Sequence, residues 1–268
     1  MKRTTYILIG MLIAGFVVIS GAIFYMSSLG TTWEDSFMEI GGEQKTVQLP
    51  ECRVVQLSIN VDNDESERSI VFQDAPLLVQ PTDGVTGSFT CASDMASRLS
   101  MQTSGDTLNI VFDFSNDGQN EEFKDARWLK VRTAGMKLNI PETVQEVSAT
   151  VYDMETTFKG FSRDTLSFST SGATTVEDCR IASLSAHAGD LNFFSGEVRD
   201  LYLDLDGIHN WNVATEFFRI DTEHLSGSYD HYNTLQKGEC RQVLWTPKQK
   251  DATLNLKLVE ATKIEIEK

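Results

Sequence analysis

Three short runs in the chain repeat one plan: LSFSTSG (166–172), LSAHAG (184–189) and LYLDLDG (201–207). Each alternates apolar with polar residues and ends in glycine. In the third, Leu201, Leu203 and Leu205 can face one way while Tyr202, Asp204 and Asp206 face the other, the period of a strand with one buried face. The wider pattern starts near Val147, Leu166, Leu184, Leu201 and Ile220, at spacings of 19, 18, 17 and 19 residues. A second apolar group follows each turn: TVEDCRI, LNFFSGEV, WNVATEFF. Two short strands and two turns are too few residues for a strand–helix–strand crossover, which needs about 30. They fit one coil of a parallel β-solenoid. A lone coil cannot bury its apolar face, and the next coil, roughly 4.8 Å along the axis, covers it. Leu166, Leu184 and Leu201 then form one internal column, each contributing on the order of 1.5–3 kcal/mol of transfer free energy. A β-sandwich competes, because it also uses strands at spacings of about 8–12 residues. In-phase return of Leu-x-apolar runs ending in glycine favours the solenoid.

The fold class expected is therefore all-β. Residues 141–268 hold the coils, and residues 49–140 read as irregular β, with runs such as RVVQLSINV and TLNIVFDFS separated by turn residues. SGD (104–106) between RLSMQT and TLNIVFDF is a hairpin turn by composition. Residues 30–48 are short and polar, and are expected to be a stalk.

Ahead of these, Lys2 and Arg3 precede a stretch with no charge until Glu34. Tyr6 to Met26 supplies the roughly 20 apolar residues that a membrane span needs. Residues 1–29 are thus expected to be a transmembrane helix. A cleaved signal sequence is the alternative, with a site near SSLG. The basic flank stays inside, so the N-terminus is expected to be cytoplasmic and residues 30–268 periplasmic or extracellular. Without Lys2 and Arg3 the chain has 21 basic and 39 acidic residues, a formal charge of −18. That surface repels phosphate backbones, so nucleic acid is not an expected partner.

All four cysteines follow the apolar stretch, in a compartment that permits disulfides. Cys179 and Cys240 lie about three coils, or roughly 14 Å, apart along the axis. A disulfide needs Cα atoms within about 7 Å, so these two should stay unpaired. A Cys52–Cys91 disulfide is expected instead.

Several constellations invite a chemical reading. Ser169, His187 and Asp204 would share an outward column, the residue types of a nucleophile, base and orienter. An outer sheet face lacks the pocket and oxyanion donors that hydrolysis needs, so a polar ladder is the expected reading. DFSNDG (113–118) is a partial match to a calcium loop. Asp113 and Asp117 fit, but Ser115 holds the third position and Lys124 the twelfth, where a bidentate Glu belongs. Asp200, Asp204, Asp206 and Asp221 could form the calcium site of a polysaccharide lyase, with Arg199 or Arg219 as base. His224 and His231, with Asp230 and Glu223, are the best histidine pair for a metal, yet zinc needs three or four convergent ligands. The expectation is no metal, no cofactor and no catalytic residue. The aromatic groups FF (193–194), HNW (209–211), FF (217–218) and YDHY (229–232) remain. The Phe pairs are expected in the core. Trp211, Tyr229 and Tyr232, beside turns, are the candidates for stacking on a sugar or a partner protein.

The order of these features carries a resemblance: an apolar N-terminal segment, a β stretch with TSGDTLNIVFD (103–113), then MKLNIPETVQEVSATV (136–151), then repeats of the LSFSTSG kind. The chain resembles the bacterial auto-transporter adhesins of the head-GIN-domain type over residues 50–268. The resemblance implies a right-handed β-solenoid at the cell surface or in the periplasm, with an adhesin-like or scaffold role and no catalytic residues. Envelope glycans or surface proteins are the partners expected. The alternatives are a carbohydrate-active β-helix enzyme, and a periplasmic sensory domain. The latter would need a membrane partner, because only about five residues precede the span.

Overall fold

The structure, a computed structural model, describes residues 2–29, 37–61, 69–115 and 128–259. Helix α1 (Lys2–Leu29) holds the apolar N-terminal stretch, and its Gly10–Ser28 segment is long and apolar enough to cross a membrane. The body that follows is mostly β.

The first part contains β1 (Phe37–Ile40), β2 (Gln44–Gln48), β3 (Val54–Asn60), β4 (Ser69–Phe72), β5 (Leu77–Pro81) and β6 (Ser88–Ala92). One helical turn, α2 (Ser93–Ala96), leads to β7 (Leu99–Ser104), β8 (Thr107–Asp113), β9 (Trp128–Thr133) and β10 (Met136–Ile140). β7 and β8 form the hairpin expected at SGD, where Gly105 takes the positive φ of +58° that such turns require. Residues 37–48 correct the expected stalk. β1 pairs with β9 and β2 with β6, so they belong to the folded body.

Thereafter the chain alternates between two sheets. β11 (Glu146–Ala149), β13 (Ser162–Thr170), β15 (Cys179–His187), β17 (Gly196–Asp204), β19 (Phe218–Gly227) and β21 (Cys240–Pro247) build one. β12 (Thr156–Lys159), β14 (Ala173–Glu177), β16 (Asp190–Phe193) and β18 (Asn210–Val213) build the other. β20 (Asp230–Leu235) and β22 (Thr253–Leu258) form a separate two-stranded sheet. The sheets are mixed: all these pairings are parallel, whereas β2–β6, β6–β10 and β7–β8 are antiparallel.

Leu166, Leu184 and Leu201 stand in register as one buried column. A second runs Val147, Phe168, Ala186, Leu203, Leu225. Two of the three glycines that end the runs, Gly172 and Gly207, mark places where one turn presses on the last. A Cβ at Gly172 would lie 2.3 Å from the Met154 carbonyl oxygen, and one at Gly207 would lie 2.0 Å from the His187 ring. Glycine alone fits such approaches.

In each long strand the ladder skips one residue at the same level: Asp164, Ala182, Arg199, Asp221 and Arg241. There the in–out alternation resets. In β17, Val198 and Leu201 are buried while Arg199 and Asp200 both lie outside. Such bulge-like breaks bend a strand and re-aim its side chains. Stacked in register, they put a longitudinal corner on the sheet.

The expected Cys52–Cys91 disulfide is absent; all four cysteines are free thiols. Cys91 lies on β6 and Cys52 leads into β3, in the opposite sheet. Both are buried among apolar side chains of the core, where each thiol packs as a small hydrophobe. Burial pushes both thiols up, Cys91 to about 11, which leaves little reactive thiolate.

Candidate functional site: a charged groove along one corner

The stacked breaks create an open groove of about 580 Å³ on the outer side of the corner. Its floor includes Ile181 and Val198 of a buried column. Its flanks carry Arg163, Arg180, Arg199, Arg219 and Arg241, one from each long strand β13 to β21. These are all the arginines between residues 133 and 259. At one end the groove shares Glu142, Ser162 and Arg163 with a second hollow of about 720 Å³, against the loop that contains Thr82 and Val85. Four steps of roughly 4.8 Å separate β13 from β21, so the arginine-lined part is about 19 Å long.

Register fixes the charge pattern. Arg180, Glu197 and Arg219 stack in one column, flanking the groove on one side. Arg199, Asp221 and Arg241, the residues at the breaks, stack on the other. Opposite charges thus neighbour each other along both flanks, which favours the stack. Arg180 lies 3.7 Å from Glu197 and Arg241 lies 3.3 Å from Asp221. Arg199 turns to Asp200 at 2.9 Å, and Arg219 is in no ion pair among the described residues. Arg163 differs: it donates to the Val144 carbonyl at 2.7 Å and lies over the Phe161 ring, so it fixes the groove's end. The sequence signal was present but unread. These arginines recur at 17, 19, 20 and 22 residues, the period of the repeat itself.

The aromatic residues divide. Phe193 and Phe218 are buried with ring centroids 5.0 Å apart, as expected for a core. Phe194 and Phe217 are instead 56% and 65% exposed. Phe217 lies in the turn before β19 and, like Phe194, does not line the groove. Tyr229 and Tyr232 are exposed, but neither lines the groove. Trp211 is half-buried against the core.

The other constellations disperse. Ser169 and His187 are register partners, yet no hydrogen bond among the described residues joins either to Asp204. Asp204 accepts from the Asp206 backbone N–H and pairs with Lys248. His224 stacks on Tyr202 at 4.2 Å with its Nε2 3.3 Å from Asp200, while His231 reaches Asp206 at 3.0 Å. Asp230 accepts from Thr253. The histidines therefore do not converge, and among the described residues no group of three or more His, Cys, Asp or Glu could hold a metal. Asp113 accepts from Ser115 and Asn60, bonds that hold its carboxyl below the usual range. Asp117 and Lys124 lie outside the described residues.

Asp206 ties the last turns of chain together. It accepts from the Ser228 backbone N–H and hydroxyl, both at 2.7 Å, and pairs with Lys248 at 3.1 Å. The Ser228 bonds, first among these, hold its carboxyl well below the ordinary value.

One buried group stands out from the fold. Glu223 follows Leu201 in the leucine column, fully buried, with neither carboxylate oxygen hydrogen-bonded. Burial, and secondarily nearby Glu239, pushes its carboxyl up to about 8. Burial likewise raises Glu239 and Cys240.

No family model matches the chain, and no curated protein matches its sequence. Among solved structures it is similar to a candidate adhesin from Bacteroides fragilis, with a TM-score of 0.47 and 13% identity over 83% of this chain and 97% of that one. A candidate lipid-binding protein from Parabacteroides distasonis gives a TM-score of 0.35 at 12% identity, covering 83% and 96%. A candidate adhesin from Parabacteroides merdae gives 0.34 at 11%, covering 84% and 100%.

Proposed function

We propose that this is a non-enzymatic, adhesin-like binding module, held to the membrane by residues 1–29, with residues 30–268 outside the cytoplasm. In this reading the two facing runs of parallel strands are the coils of a right-handed solenoid of the head-GIN adhesin type. The corner groove is the contact surface for an envelope glycan or a surface protein. The observation that carries the reading is the groove: open, long, and supplied by every coil with a charged side chain. An enclosed pocket with converging acid, base and nucleophile would suit turnover. A shallow repeating groove suits an extended partner held along its length.

Two measurements bear on it. A glycan panel, with the supernatant analysed for released product, should show retention without cleavage; soluble fragments that accumulate with time would replace the module with a hydrolase or lyase. For topology, alkaline phosphatase fused to the C-terminus should be active, and a fluorescent reporter that matures only in the cytoplasm should stay dark. The reverse pair of results would place the body on the other side of the membrane.

A further inference from the structure

On two successive strands the groove offers opposite charges across from one another, with the sides exchanged between them. On β17 the two flanks carry Glu197 and Arg199, and on β19 they carry Arg219 and Asp221. The arginines therefore zigzag: Arg180 and Arg219 on one flank, Arg199 and Arg241 on the other. Alternation within a column is what a stacked sheet needs to avoid like-charge neighbours. That need does not account for an open groove between the columns.

We infer that the groove binds a linear, uncharged glycan lying along the stack, with the arginine forks donating to its hydroxyls and Glu197 and Asp221 accepting from them. The inference rests on the binding-module reading and names its ligand. Charge decides between ligand classes. Five arginines against Glu142, Asp164, Glu197 and Asp221 leave the groove with one positive charge in a protein of formal charge −16. A polyanion would meet four carboxylates inside the groove and the repulsion of the whole surface outside it. A polycation would meet the arginines there and find better sites elsewhere. A hydroxyl both donates and accepts, so a neutral polyol satisfies a flank that alternates donor with acceptor. The existing ion pairs give way readily: the Arg180 and Glu197 side chains are 76% and 60% exposed, and such pairs are worth less than about 1 kcal/mol. A groove about 19 Å long also implies that affinity grows with chain length until the groove is filled.

The test uses the full-length protein in detergent, titrated with neutral β-1,4-glucan and N-acetylglucosamine oligomers of increasing length, and with galacturonate oligomers of matched length. Affinity should rise along a neutral series and then level off, and the galacturonate series should bind more weakly. Arg199→Ala, Arg219→Ala and Arg241→Ala should each weaken binding about tenfold, as loss of one charged hydrogen bond does. All three sites are on the surface, and an unchanged melting temperature certifies each variant. Tighter binding of galacturonates, affinity without length dependence, failure of every glycan to bind, or a protein as the only ligand would each overturn the inference. Neutral glycan binding unmoved by the three variants would overturn it while leaving the binding-module reading intact. Cleaved product with variant-sensitive binding would do the reverse.

Discussion

Raising the pH from about 5 to 9 should lower the melting temperature of this protein, and Glu223→Leu should remove most of the effect, leaving the smaller slope of Glu239, which burial also raises. The Glu223 carboxyl ordinarily titrates at 4.5 and is pushed up to about 8 in the fold. The folded chain therefore holds that proton more tightly than the unfolded chain. Stability is whole below the unfolded value, falls as the pH rises toward 8, and levels off above it. The gap corresponds to at most about 5 kcal/mol, a large share of an ordinary domain's stability. Leucine at this position continues the column Leu166, Leu184, Leu201 and faces Val243 in the next strand. It should raise the melting temperature most at high pH. Glu223→Gln, which cannot ionise, should flatten the profile with a smaller gain, because its amide stays buried and unbonded. A wild-type profile that is flat between pH 5 and 9, or an equally steep one in both variants, would contradict the placement of Glu223 in the core.

The second large effect is Leu203→Asp. Leu203 is buried in register between Ala186 and Leu225. Its loss costs roughly 1.5–3 kcal/mol of apolar burial, and an unpaired buried charge adds several more. The neighbouring strands should unfold with it, because each depends on the next for cover. The outward control is Ser185→Asp, which should leave the melting temperature within about a degree. Alternation alone marks Asp204 as an equally indifferent outward position. The structure makes it a cap for the turn Leu205–Gly207 and a partner of Lys248, so Asp204→Leu should be mildly destabilising, by about 0.5–2 kcal/mol for the cap. Equal melting temperatures for Leu203→Asp and Ser185→Asp would show that the faces have been assigned backwards.

What the sequence made legible was whatever repeats locally. The leucine column and the SGD hairpin follow from alternation and turn chemistry, and both stand where the pattern puts them. The first and last repeats were set in the wrong register: Val147 aligns with Phe168, not with Leu166. Apolar matching aligns Ile220 with Leu201, but the ladder aligns Glu223 with Leu201 and Ile220 with Val198. A buried carboxylate is the last residue that hydrophobic patterning would choose for a core, so the mismatch was invisible to it. The exposed halves of the two Phe pairs were missed for a related reason. Both pairs read as apolar, but only Phe193 and Phe218 stand in strands, and Phe194 and Phe217 lie just outside them. Pairings such as β5 with β12 join residues about 79 apart and leave no local trace. The arginine ladder was legible in spacing, yet it became a groove only when the ladder breaks at Asp164, Ala182, Arg199, Asp221 and Arg241 stacked on one another.

The central claim is that one ligand lies along several stacked strands at once. The Nε–Hε resonances of the arginines, followed by NMR in the full-length protein during titration with the neutral oligosaccharide that binds best, report it directly. Arg180, Arg199, Arg219 and Arg241 should shift together, with one common affinity, while Arg98 and Arg132 stay still. Shifts confined to a single coil, or no arginine shifts under saturating ligand, would contradict a binding groove that runs along the stack.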